Sequence, residues 1–338
     1  MTRIFVNSVS GTKRTDPSGG PASDPSTIRA DSPAVFRSYY NGSDAEPTLA
    51  SVAVIIASAN RPNLLADAMR TCADQKGVTY RGVISVPDEG SLPEDRSLLT
   101  GWQVVMGSRG ASAQRNAALN VLLGVEAVAF FDDDALLRAD YLANALAFLQ
   151  QHPEVVALTG RVLLDGAAKG EIPAAQAIEA LAASAGETLT RRWRPTRELY
   201  GCNLVVRAPV AVSERFDERL PLYSWLEDHD FARRCMRRGQ LAKVDDCVIV
   251  HRGAASGGRQ AHRRLGYSQL MNPIYLFRKG SFPLWLAAWE IFRPVAKNLL
   301  YAVAGSSRSW RRERLDGNFT AAADAVRGRL TPERIVHL

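Results

Sequence analysis

The chain has 338 residues, of which 46% are hydrophobic and 23% charged, an ordinary globular composition able to build one large domain or two modest ones. Its net charge of +7 and pI near 9.4 favour an anionic partner such as a nucleotide phosphate or an anionic membrane surface. Cys72, Cys202, Cys235 and Cys247 are far apart and form no C-x-x-C pair, which argues against a zinc site or disulfide framework and fits a reducing cytosol.

Residues 1–48 are rich in Ser, Gly, Pro, Thr and Asp without apolar periodicity, so a disordered tail is expected, and it lacks the apolar core of a signal peptide. The ordered part begins at SVAVIIASANRP, where 52–57 is a near-continuous apolar run typical of a buried parallel strand. Pro62 then opens a helix over 63–73. RGVISV is a second strand, ending at the acidic turn Pro87-Asp88-Glu89-Gly90-Ser91, and 102–106 is a third. GSRGASAQRNAALNVLLG reads as a glycine-containing loop feeding an amphipathic helix with Arg115 and Asn116 in its first half.

The next strand, VEAVAFF, runs into Asp132-Asp133-Asp134. In an open α/β sheet the carboxyl ends of strands are where ligands bind. Alternate side chains point the same way, so Asp132 and Asp134 can face one ligand while Asp133 faces elsewhere. Two carboxylates aimed at one point need a cation between them, and hard oxygen ligands suit Mg²⁺ or Mn²⁺. The competing reading is a turn in which Asp134 caps a helix in the following ALLRADYLANALAFL. The strand-helix alternation predicts a mainly parallel, Rossmann-like sheet covered by helices on both faces.

The Ala-rich segment around 174–185 reads as a helix that is either an insertion or a flap over a ligand, and the basic run RRWRPTR that follows as a solvated face or a phosphate attractor. LYGCNLVVRAPV contains a strand, and WLEDHDFARRCMRR reads as a helix with Glu227 and Asp228 in its opening turn, where acids also serve as simple helix caps. LAKVDDCVIVHRG is a strand ending at His251, followed by a Gly-rich basic loop with Arg252, Arg259, Arg263 and Arg264, a candidate lid. The C-terminal FPLWLAAWEIFRPVAKNLLYAVAG is apolar but interrupted by Glu290, Arg293, Pro294 and Lys297. That pattern fits amphipathic helices lying on a membrane, with Trp285 and Trp289 at headgroup level and SSRSWRRERL facing anionic lipid; the alternative is a helix packed on the domain.

VAVIIASANRP, PDEGS, SAQRNAAL and FFDDD, in that order and spacing, resemble a family 2 inverting glycosyltransferase with the type-A nucleotide-sugar fold, over residues 52–279. The resemblance implies a catalytic domain over 49–280, with a nucleotide-binding half at 49–135 and an acceptor half at 136–280, followed by C-terminal helices at 281–338. It implies that the backbone of Ala57 and Ala59, with Arg61, Asp88, Arg115, Asp132 and Asp133, lies around a nucleotide-sugar donor, a UDP-sugar first among them. Asp134, Asp132 and His251 would hold Mn²⁺ or Mg²⁺. Asp228 would be the catalytic base and Glu227 would position acceptor or base, while Gly201 would sit below the acceptor and Trp225 would stack on it or serve as a hydrophobic staple. His229 is taken as structural, and Asp230 as a partner of nearby backbone or Arg233. The implied acceptor is a saccharide, lipid-linked if the C-terminal helices meet the inner face of the plasma membrane. The Asp88-Glu89 pair departs from the Asp-Asp or Asp-Asn usual in such enzymes. Two other classes stay open: a metal-dependent nucleotidyltransferase, although ASANRP lacks a Gly-rich phosphate loop, and a non-catalytic sugar-nucleotide or polysaccharide-binding membrane subunit. Nucleic acid is not an expected partner, because the basic residues are not interleaved with a recognition motif.

Overall fold

The computed structural model describes residues 35–38, 51–122, 124–167, 170–187, 192–254, 260–303 and 308–338. It opens with β1 (Val35–Ser38), inside the stretch expected to be a tail, then β2 (Val52–Ala57), α1 (Pro62–Ala73), β3 (Tyr80–Val86) and β4 (Trp102–Met106). The chain continues through α2 (Ala111–Leu119), β5 (Ala127–Asp132), β6 (Ala135–Leu137), α3 (Tyr141–Gln151) and β7 (Val155–Asp165). The second half carries α4 (Ala174–Ala183), β8 (Trp193–Thr196), β9 (Asn203–Arg207), α5 (Ala208–Glu214), α6 (Glu227–Cys235) and β10 (Gln240–His251). Three long helices follow: α7 (His262–Lys279), α8 (Leu284–Val303) and α9 (Arg308–Val326).

The strands form one mixed sheet in the order β1-β4-β3-β2-β5-β9-β7-β10-β6, with β8 also on β10. The block β4-β3-β2-β5 is parallel throughout, as is the β7-β10 pair. Antiparallel β9 joins the two blocks, pairing with β5 on one side and β7 on the other. That geometry brings the carboxyl ends of β2, β3, β5, β7 and β10 to one edge, together with the amino end of β9. The apolar runs are sandwiched because both sheet faces are covered. Phe131 packs edge-on against Tyr141 in one core, while Phe130 meets Phe216 and Phe231 in the other.

One expectation changes here. Ala135–Leu137 is a short strand antiparallel to β10 and the helix starts only at Tyr141, so Asp134 is not a helix cap. Helix α4 buries Ala177 and Leu181 in the core against the sheet.

The C-terminal helices are fastened by glycines. A Cβ on Gly266 of α7 would lie 2.0 Å from the Arg314 carbonyl oxygen of α9, and one on Gly317 would lie 2.1 Å from the Arg263 oxygen. The two helices thus cross in backbone contact. Tyr267 donates to Asp324 beneath the crossing (3.0 Å). No helix among the described residues is long and apolar enough to cross a membrane.

Candidate active site

At the shared strand edge lies a cavity of about 930 Å³, lined by the β2 end, the start of α2, the approach to β9 and the start of α6. Asp132 lies opposite Ala57 in the β5-β2 register, and His251 ends β10. One ligand atom from each of Asp132, Asp134 and His251 falls within 4.8 Å of the others. His251 Nε2 is 3.4 Å from Asp134, while its Nδ1 is held 2.9 Å from Asp165 and 3.4 Å from the Tyr200 hydroxyl. With Nδ1–H donated to Asp165, Nε2 faces the carboxylates, the orientation a metal-binding histidine needs. Burial pulls the imidazole pKa down, but hydrogen bonding to Asp134 and the charges of Asp134 and Asp132 outweigh it and hold it at about 9. In the metal-free protein the imidazolium thus supplies the positive charge that the two carboxylates call for, and Nε2 would give up its proton to take a metal. Two carboxylates and an imidazole fit Mn²⁺ best, and Mg²⁺ less well.

Asp133 does not face the cavity. It is fully buried, accepting from the Ser58 hydroxyl (2.6 Å) and from Arg61 Nε (2.9 Å), with a second Arg61 contact at 2.5 Å. Among the expected donor contacts Asp133 is therefore a correction: it locks the Asp132-Asp134 turn to the end of β2. Arg61 also approaches Asp134 at 3.7 Å, so its guanidinium faces the acidic turn as well as the cavity wall.

Arg115 is neither a surface ion pair nor simply a donor contact. It is 2% exposed and donates to Asp132 (2.7 Å), Glu227 (3.1 Å) and the Gly201 carbonyl (3.0 Å), with its guanidinium 5.0 Å from the Phe216 ring. It thereby ties Asp132, Glu227 of α6 and the approach to β9 into one unit. The α6 acids are presented by a loop in which Leu222, Ser224 and Leu226 all have positive φ (60°, 53° and 73°). Each such non-glycine residue costs on the order of 1–3 kcal/mol and is kept where the surroundings over-determine it. Here the buried Ser224 hydroxyl donates to the Leu220 carbonyl (2.6 Å), and Ala111 N–H donates to Leu222.

Asp228 accepts from Gly201 N–H (3.1 Å) and from His229 N–H (2.8 Å). A Cβ at Gly201 would sit 3.1 Å from the same Asp228 oxygen, so the glycine makes room for that carboxylate. Burial, and then the Asp228 charge, push Glu227 up to about 8 against the pull of Arg115. Asp230 pairs with Arg234 (2.9 Å) and Lys279 (2.8 Å), not Arg233. His229 and Trp225 both line the cavity, and Trp225 is also stacked beside Tyr223.

Ala57, Ala59 and Arg61 line the cavity as expected. Asp88 stands just outside it, bound to Ser91 (2.9 Å) and Arg109 (3.3 Å), and Arg109 reaches back to Asn60. Arg252 is a structural link to Asp67, Glu171 and the Ile172 carbonyl, and Arg263 pairs with Asp316. Arg264 lines the cavity, while Arg259 lies outside the described residues. In the basic run, Arg194 and Thr196 of β8 also line it. Sequence reasoning missed Gln114, whose side chain donates to the Ser58 and Ser85 carbonyls and so clamps β2 to β3, and Asp165, the orienter of His251. Asp165 had a readable signal: like Asp132, it ends an apolar run on a strand.

No family model matches the sequence, and no curated protein matches it either. Among solved structures, a mannosyltransferase from Pyrobaculum calidifontis in complex with GDP-Man and Mn²⁺ aligns over 83% of this chain and 88% of that one, at 16% identity and a TM-score of 0.48. TarS 1-349 from S. aureus aligns over 84% of this chain and 82% of that one, at 15% identity, with a TM-score of 0.50, and of 0.51 for its complex with UDP-GlcNAc. The chain shares the fold of these TarS structures, the type-A nucleotide-sugar fold, across most of its length.

Proposed function

We propose that the protein is an inverting, metal-dependent glycosyltransferase that moves a sugar from a nucleotide-diphosphate donor to a hydroxyl of a saccharide acceptor. The observation that carries this reading is that Asp132, His251 and Asp228 line one cavity, with buried Asp134 within ligand-sharing distance of Asp132 and His251 and with Arg115 bridging Asp132 to Glu227. Asp132, Asp134 and His251 would hold the Mn²⁺ or Mg²⁺, which when bound neutralises the diphosphate leaving group. The backbone at Ala57 and Ala59, with Arg109 and Asp88 at the mouth, forms the base and ribose end. A UDP-sugar is the donor we favour, consistent with the UDP-GlcNAc held by TarS on the same fold.

In the reaction the acceptor oxygen forms a bond to the anomeric carbon as the bond from that carbon to the phosphate oxygen breaks. The electron pair leaves with the diphosphate, and the acceptor proton passes to Asp228. One carboxylate suffices, because no covalent intermediate is formed. Glu227, with its pKa near 8, is the protonated partner at neutral pH, which leaves proton acceptance to Asp228. Arg115 fixes Glu227 and Asp132 relative to each other, and Gly201 N–H aims the Asp228 carboxylate.

Calorimetric titration of UDP, GDP, TDP and CDP, with and without Mn²⁺, tests the site. One nucleotide should bind in a metal-dependent way, and Asp134→Ala should abolish that binding. Asp228→Asn should keep the binding and lower turnover by about 10²–10⁴-fold. Binding to none of the four would remove the donor reading, and normal turnover in Asp228→Asn would remove its role as base.

A further inference from the structure

Helix α8 buries polar groups alongside Leu286, Ala287 and Ala302: Glu290 is 4% exposed, and Asn298, fully buried, bonds Gln269 (2.9 Å), Asn318 (3.1 Å) and Arg311 (2.7 Å). Its outward face is apolar, with Trp285, Trp289, Phe292, Leu299 and Val303 between 50% and 77% exposed. These residues are spaced by four, three, seven and four positions, close to whole turns, hence form one stripe. A water-facing helix keeps its exposed face polar, and contiguous exposed apolar patches of this kind mark interaction surfaces. The helix is 20 residues long, about 30 Å at 1.5 Å per residue.

We infer that α8 lies in the plane of an anionic lipid bilayer, with its aromatic stripe in the acyl-headgroup boundary. Arg293 and Lys297 are exposed along one border of the stripe, where their stems can lie on apolar surface while their charges reach phosphate. The net charge of +7 complements an anionic surface. A second copy of the chain would bring the same cations against each other, which disfavours self-association through this face. The stripe also adjoins the site: Glu290 and Arg293 line the cavity, and Leu286 and Ala287 pack in the cluster that carries Leu226 at the start of α6. A docked α8 therefore holds the acceptor side of the cavity at the membrane. Resting on the transferase reading above, the acceptor is a saccharide borne on a lipid.

The test is co-sedimentation of the full chain with phosphatidylcholine vesicles, with and without phosphatidylglycerol, compared with Trp285→Glu/Phe292→Glu. Wild type should pellet with the anionic vesicles and be released by salt. The variant should lose at least about tenfold in partitioning while keeping its melting temperature and nucleotide affinity. Absence of wild-type binding to anionic vesicles at low salt overturns the proposal. So does a wild-type dimer that the variant converts to monomer, which would assign the stripe to a second copy. Nucleotide titration on the same samples separates the two readings, since a failed donor site leaves vesicle binding untouched and the reverse.

Discussion

Replacing Arg115 with methionine tests whether one buried cation organises the site. Methionine has comparable length and can rest on Phe216, so little cavity is created and the change isolates the lost polar contacts. Three hydrogen bonds disappear: to Asp132 (2.7 Å), to Glu227 (3.1 Å) and to the Gly201 carbonyl (3.0 Å). Hydrogen bonds to charged groups contribute about 1.5–3 kcal/mol, and removing one partner of a buried pair costs about 3–5 kcal/mol. The Asp132 side chain is 35% exposed, so solvent screens part of its orphaned charge, and Glu227 can remain protonated. Those two offsets place the expected loss near the lower figure, about 3 kcal/mol. At about 2 °C or slightly more per kcal/mol for a domain of this size, the melting temperature should fall by ~6–9 °C in EDTA at pH 7. Arg115 holds the Glu227 pKa down, so without it Glu227 keeps its proton to a higher pH than in wild type. Stability of the variant should therefore drop further relative to wild type as pH rises from about 7 through and above 8. Scanning calorimetry across that range reads both effects. A loss below about 1 kcal/mol, or a deficit that does not change with pH, would refute the view of Arg115 as the internal counter-ion.

Three further outcomes follow from the same contacts. Asp165→Ala removes the group that orients His251 without touching the proposed ligand atoms, so on the proposed reading Mn²⁺ affinity should fall about 10–100-fold, read by titration with the metal alone. Glu227 has its folded pKa raised from 4.5 to about 8, so in the metal-free protein its contribution is present below pH 4.5 and lost as pH rises through 8. At about 1.4 kcal/mol per unit, up to about 5 kcal/mol is at stake; the melting temperature should decline over that window, and Glu227→Gln should flatten the decline. Gly266→Ala would gain about 1 kcal/mol from helix propensity if space were free. Because the added carbon meets the Arg314 backbone at 2.0 Å, thermal melting should instead show a net loss of about 1–3 kcal/mol, and a gain would mean that α7 and α9 do not cross there.

What the sequence made legible was local. The apolar run into Asp132–Asp134 announces a strand end and its carboxylates within seven or eight residues, and VAVIIA announces its buried neighbour. The antiparallel insertion of β9 was not legible, because strand direction depends on connections and not on side-chain pattern. Arg115 shows the limit most plainly. Its partners lie 17, 86 and 112 residues away, and nothing in SAQRNAAL tells a solvated arginine from a buried one. The same holds for Gly201, whose missing side chain serves a carboxylate 27 residues further on.

The C-terminus reverses this lesson. Its composition was plain, yet composition could not say which face of α8 would be covered. That face was decided by α7 and α9, which offer Gln269, Asn318 and Arg311 to Asn298. Once those polar groups are satisfied inward, the tryptophans have nowhere to go but out. A sequence selected only for a stable soluble helix would place them on the buried side, where each could remove on the order of 150–250 Å² from water. Their outward placement, on a helix that also walls the cavity, is the observation on which the membrane proposal rests.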